Sequence, residues 1–192
     1  MNLPNKLTLL RIILIPFFMF FYLATFISFG KLIAIGIFII AAITDFLDGK
    51  IARSRNLVTN LGKFLDPIAD KLLVFSALIM LVCTNGLIFE PYGLIILFII
   101  LARDLIVDVL RQIASTKNCV IAADIYGKIK TFVMDITLPM YILYAYFFVN
   151  SISSSFITIY GYICFGLLLV CCLLTIFSGL NYVIKNKSVF LD

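Results

Sequence analysis

The chain contains no histidine. That absence excludes histidine general bases, phosphohistidine intermediates and histidine metal ligands, and leaves acid-base work to Asp, Lys, Tyr or Cys. Glutamate is nearly absent as well: Glu90 is the only one, so the remaining side-chain carboxylates are aspartates. Charge of either sign is thin, at 13% of residues against 64% hydrophobic, with a mean hydropathy of +1.18. Soluble domains carry about twice that share of charge, so a soluble globular fold is excluded. Cys83, Cys119, Cys164, Cys171 and Cys172 are odd in number and form no C-x-x-C pair. Neither a disulfide framework nor a zinc site is indicated, and the thiols read as packing residues. No internal repeat, linker or low-complexity stretch divides the chain, so a single membrane domain over residues 1–192 is expected.

Long apolar runs fill most of what remains. A membrane-spanning helix needs about 20 such residues, and spans are predicted at roughly 9–29, 32–53, 63–84, 92–112, 128–149 and 155–184. The expected fold is therefore an all-α integral membrane protein of six transmembrane helices. The first run lacks a small-residue cleavage region and is expected to persist as a helix rather than leave as a signal peptide.

Of the 15 lysines and arginines, only Lys31 falls on the face opposite the rest if the N-terminus is cytoplasmic. This bias predicts cytoplasmic N- and C-termini by the positive-inside rule. The basic rim suits anionic headgroups or a soluble phosphorylated substrate; no nucleic-acid partner is expected. Most of these charges are explained by topology alone.

Four acids resist that explanation. Asp45, Asp48, Asp66 and Asp70 adjoin the apolar runs LIAIGIFIIAAI and LLVFSALIMLV, where an aspartate costs on the order of 2.5–3.5 kcal/mol at the bilayer centre and less near a helix end. Asp45, Asp48, Gly49 and Ala52 share one helical stripe, and Gly62, Asp66 and Asp70 share another. The short link between them predicts antiparallel neighbours whose carboxylates converge. Ion pairing with Arg53, Arg55, Lys63 or Lys71 accounts for one or two acids, as does an N-cap at Asp66 before Pro67. Convergence of all four, with small residues between, points to hard divalent cations, Mg²⁺ or Mn²⁺, in a two-metal phosphoryl-transfer site. A small cation transporter is the rival from another class.

Asp45, Asp48-Gly49, Ala52-Arg53, Gly62, Asp66 and Asp70, at these spacings, resemble the full signature of the CDP-alcohol phosphotransferase family. The stretches NLPNKLTLLRIILIPFF, NLVTNLGKFLDPIADKLLV, ARDLIVDVLR and GKIKT are similar to bacterial members that use CDP-diacylglycerol as donor and glycerol 3-phosphate as acceptor. The resemblance implies that Asp45, Asp48, Asp66 and Asp70 hold two metals and that Asp70 is the general base. It implies that Asn5, Thr8, Asp48, Gly49, Ala52, Arg53 and Gly62 surround the nucleotide. Arg103, Arg111, Lys128 and Lys130 are the candidates for the acceptor phosphate, with headgroup anchoring or an Arg111–Asp108 pair as the plainer reading. A homodimer and the family's six-helix fold are further expectations. Phosphatidylglycerol, inositol phosphate and serine are the alternative acceptors.

Overall fold

The computed structural model describes residues 2–54, 59–84, 87, 92–116, 125–150 and 155–185. Among these the chain is all helix: α1 (Leu3–Leu23), α2 (Gly30–Ser54), α3 (Asn60–Val82), α4 (Tyr92–Thr116), α5 (Ile125–Val149) and α6 (Ser155–Lys185). Each corresponds to one expected span. α1, α5 and α6 are long and apolar enough to cross a membrane. α3 combines its apolar run with Asp66, Asp70 and Lys71, and α4 combines its own with Arg103, Asp104, Asp108 and Arg111.

α1 differs from the expected span at both ends. Pro4 starts it within the polar N-terminal segment, where a missing N–H costs nothing. It stops at Leu23, and the chain turns through Ala24 to Gly30, with Ile27 N–H donating to Ala24 O and Gly30 N–H to Ile27 O. At the start of α3, the Thr59 hydroxyl accepts from Gly62 N–H at 3.0 Å and caps the helix. Asp66 and Pro67 lie inside α3, so Asp66 is not its N-cap.

α1 packs closely against both α2 and α3, α6 packs against α4 and α5, and α5 also touches α2 and α3. α2 and α3 touch each other only lightly, because α1 lies against both. The core between the helices is apolar, with Phe18 and Phe38 fully buried at a ring-centroid distance of 6.0 Å and Ile100, Leu138 and Leu168 filled in around them. Outward faces are apolar too: Phe98 is 71% exposed and Leu173 66%. An apolar exterior over a core that also buries Asn5, Arg11 and Lys130 is the surface of a membrane protein. The buried hydroxyls of Ser76, Thr137 and Thr175 bond within their own helices, to Leu73 O, Val133 O and Cys171 O.

Polarity is gathered at one end. The buried face of α1 runs from Asn5, Thr8 and Arg11 to Ile15, Phe18 and Tyr22. α5 passes from Lys130 to Leu138 and Tyr141, and α6 ends its buried face in Thr175, Ser178 and Tyr182. Contacts among these polar ends assemble the site.

Candidate active site

Asn5, Thr8 and Arg11 are three residues apart and therefore share a face of α1. That face meets the carboxylate-bearing turns of α2 and α3. Arg11 is fully buried, and its Nη1 stands 2.6 Å from Asp45 Oδ1 in an ion pair, while the Asp45 side chain stays 45% exposed. Thr8, also fully buried, donates from Oγ1 to Asp66 Oδ1 at 2.8 Å. Thr59 Oγ1 donates to Asn5 Oδ1 at 3.0 Å while capping α3, so a single hydroxyl ties the two helices together. Gly62 makes this approach possible: a Cβ there would stand 2.9 Å from Asn5 Oδ1 and 3.2 Å from Thr59 Oγ1.

Of the four signature aspartates, Asp45 lies within interaction range of both Asp66 and Asp70. Asp48 stands one helical turn from Asp45 on α2, with its side chain outside the described residues, as are those of Ala52 and Arg53. Gly49 is half-buried on the same turn. Among the described residues, no three His, Cys, Asp or Glu side chains come close enough to hold an ion by themselves. The donors nonetheless fit a divalent cation in kind: carboxylate and hydroxyl oxygens, with no nitrogen or thiolate, suit Mg²⁺ or Mn²⁺.

Beyond Asp70 opens a cavity of about 620 Å³ between α3, α4, α5 and the end of α6. Arg103, Arg111, Lys128 and Lys130 all line it, and with Lys71 they set five cations against the four carboxylates of Asp70, Asp104, Asp108 and Asp135. Two carboxylates are already engaged. Asp104 accepts from Lys130 Nζ at 2.6 Å and from Arg103 Nη1 at 3.1 Å, and Asp108 pairs with Lys71. Asp108 therefore faces Lys71, while the Arg111 guanidinium lies 5.9 Å from the Tyr182 ring centroid.

Arg103 is held in a slot. A Cβ on Gly179 would stand 2.9 Å from Arg103 Cγ, and one on Gly127 3.3 Å from Nη2. Its Nη2 donates to Ser178 Oγ, and its Nε is buried with no hydrogen-bond partner among the described residues. Arg103 also lines the cationic cavity, whose charge suits an anion.

In the sequence alone Arg11 counts only among the basic residues explained by topology. The signal for Arg11 was its spacing from Asn5 and Thr8, which puts a cation on the same stripe as two polar residues. Asp104 and Asp108 are one turn apart on α4, a spacing that could have announced their shared face.

Residues 1–177 match the family model described as CDP-alcohol phosphatidyltransferase. The chain is 44% identical over 154 residues to a Bacillus subtilis (strain 168) protein named CDP-diacylglycerol--glycerol-3-phosphate 3-phosphatidyltransferase, covering 74% of this chain and 77% of the relative. A Rickettsia typhi protein of the same name is 36% identical over 190 residues, covering 98% of this chain and 99% of its own length. A Shigella flexneri protein, again of that name, is 33% identical over 196 aligned positions, covering 100% and 98%.

Proposed function

The chain belongs to the CDP-alcohol phosphatidyltransferase family, and from that premise we propose that it transfers a phosphatidyl group from CDP-diacylglycerol to glycerol 3-phosphate, releasing CMP. The relatives' names support the donor and acceptor. One structural observation carries the mechanism. Asp70 stands within range of Asp45 on one side and lines the cation-rich cavity on the other, so it adjoins both halves of a transfer reaction.

In this reading Asp45, Asp48, Asp66 and Asp70 would hold two divalent ions, Mg²⁺ or Mn²⁺, which when bound would supply charge to neutralise the diphosphate and acidify the acceptor hydroxyl. The nucleotide is assigned to Asp48, Gly49, Ala52 and Arg53, with Asn5, Thr8 and Gly62 behind them. Arg111 and Lys128, with Arg103 and Lys130 beside Asp104, attract the acceptor's phosphate and aim its free hydroxyl at Asp70. Asp70 takes the hydroxyl proton as the oxygen bonds to the phosphatidyl phosphorus. The bond from that phosphorus to CMP breaks, and CMP leaves with the electron pair. Arg11 and Thr8 keep Asp45 and Asp66 oriented throughout.

The same reading has all six helices crossing a bacterial plasma membrane, both termini and the site on the cytoplasmic side, and two copies paired as a homodimer. The lipid donor then enters from the bilayer and the soluble acceptor from water. An acceptor panel tests the function. With purified protein, CDP-diacylglycerol and Mg²⁺ or Mn²⁺, glycerol 3-phosphate is expected to yield CMP and phosphatidylglycerophosphate, and chelation to abolish both. Turnover only with serine, inositol phosphate or phosphatidylglycerol would reassign the acceptor.

A further inference from the structure

The carboxylates of the cavity divide into two kinds. Asp104 and Asp108 are taken up by Arg103, Lys130 and Lys71. Asp70 on α3 and Asp135 on α5 have no ion pair or hydrogen bond among the described residues, yet both line the same space and lie within interaction range of each other. Lys130, whose charge acts on Asp135, already donates to Asp104. Two like charges facing each other inside a helical bundle are unfavourable unless donors come between them. In the proposed reaction Asp70 has the divalent ions and the reacting hydroxyl; Asp135, which is not among the proposed metal ligands, needs a donor of its own.

The cavity is thus polarised. Arg111 and Lys128 offer donors to an anion, and Asp70 and Asp135 offer acceptors to hydroxyls. We infer that Asp135 is a specificity-determining residue that accepts a hydrogen bond from a second acceptor hydroxyl, adjacent to the one that reacts. The ligand class is a small polyol monophosphate with at least two hydroxyls at the end remote from its phosphate. This rests on the reading of the cavity as the acceptor site. A site that presents a buried polar partner rejects an analogue lacking the matching group, whereas a merely permissive site does not.

The test compares glycerol 3-phosphate with 3-hydroxypropyl phosphate, which keeps the phosphate and reacting hydroxyl and lacks the middle one. Wild-type enzyme is expected to favour glycerol 3-phosphate in kcat/KM by on the order of ten- to hundredfold, the range of one hydrogen bond to a charged group. Asp135→Ala is expected to lose that factor on glycerol 3-phosphate and to leave the deoxy acceptor unchanged. Asp135→Asn, which keeps the carbonyl oxygen and nearly the same volume, retains part of the preference. Equal losses on both acceptors would make Asp135 a structural or metal-site group and overturn the inference alone. So would a wild-type enzyme indifferent to the missing hydroxyl, a result that needs no variant. Wild-type inactivity with glycerol 3-phosphate would remove the acceptor assignment itself, and this inference with it.

Discussion

Arg11 and Asp70 are both charged residues in a helical bundle, and they make opposite predictions. Arg11 is wholly buried against Asp45, so removing it leaves Asp45 without its cation and opens a void in α1's packed face. Breaking such a pair costs on the order of 3–5 kcal/mol, and the half-exposure of Asp45 argues for the lower end. Arg11→Gln is expected to lower the thermal midpoint of the solubilised protein and to lose activity, with Arg11→Lys intermediate. Asp70 has no protein partner to lose among the described residues, and Asp70→Asn keeps its shape. That variant is expected to fold with an unchanged midpoint and to turn over at background. If the two variants behaved alike in melting and turnover, the division between positioning and chemistry would be wrong. The signature aspartates were legible because their spacing is a local property of two helices. Arg11 was not, because its partner lies on another helix and no local pattern names it.

At the scale of the element, α1 is long and apolar enough to cross a membrane, as its sequence predicts, and is also the strut between α2 and α3. The short α2–α3 link suggested that those two helices pack directly. The polar face of Asn5, Thr8 and Arg11 intervenes, since it satisfies groups on both that would otherwise face each other. All six helices were readable from apolar length; the boundaries were not, because polar turns become helical when tertiary partners satisfy them. The Arg103 slot was equally hidden, since it needs Gly127 on α5, Gly179 on α6 and Arg103 on α4 at once. Gly179→Ala puts a methyl 2.9 Å from Arg103 Cγ, too near the backbone for the side chain to swing clear. The expected result is a several-fold rise in KM for the acceptor, with KM for the lipid donor unchanged, by steady-state kinetics. An equal change in both would mean that the slot serves the fold alone.

For the whole molecule, the ends of α1, α5 and α6 that carry buried polar groups meet at one pole, and the basic residues read from the sequence concentrate there as well. Cys83 lies at the opposite end of α3 and is exposed, while Cys164, Cys171 and Cys172 are buried. With Cys119 replaced by Ser, a membrane-impermeant maleimide added to intact cells is expected to label the protein, and Cys83→Ser to abolish that labelling. Labelling only after permeabilisation would reverse the proposed orientation. Composition announced the membrane and the charge bias proposed its sidedness, because both are sums over the chain. The cavity was legible only as a list of cations, since the pairing that sorts them into occupied and available depends on three helices meeting.

The Arg11–Asp45 pair also bears on how the chain is made. α1 leaves the ribosome before either helix that satisfies its inner face, so during synthesis its guanidinium has no carboxylate to meet. Asn5, Thr8 and Arg11 all lie in the leading turns, where they can wait among water and headgroups while the greasy remainder enters the bilayer. Completion of α2 and then α3 supplies the missing anions and draws those turns inward. The candidate site is thereby expected to close as the amino-terminal half finishes folding.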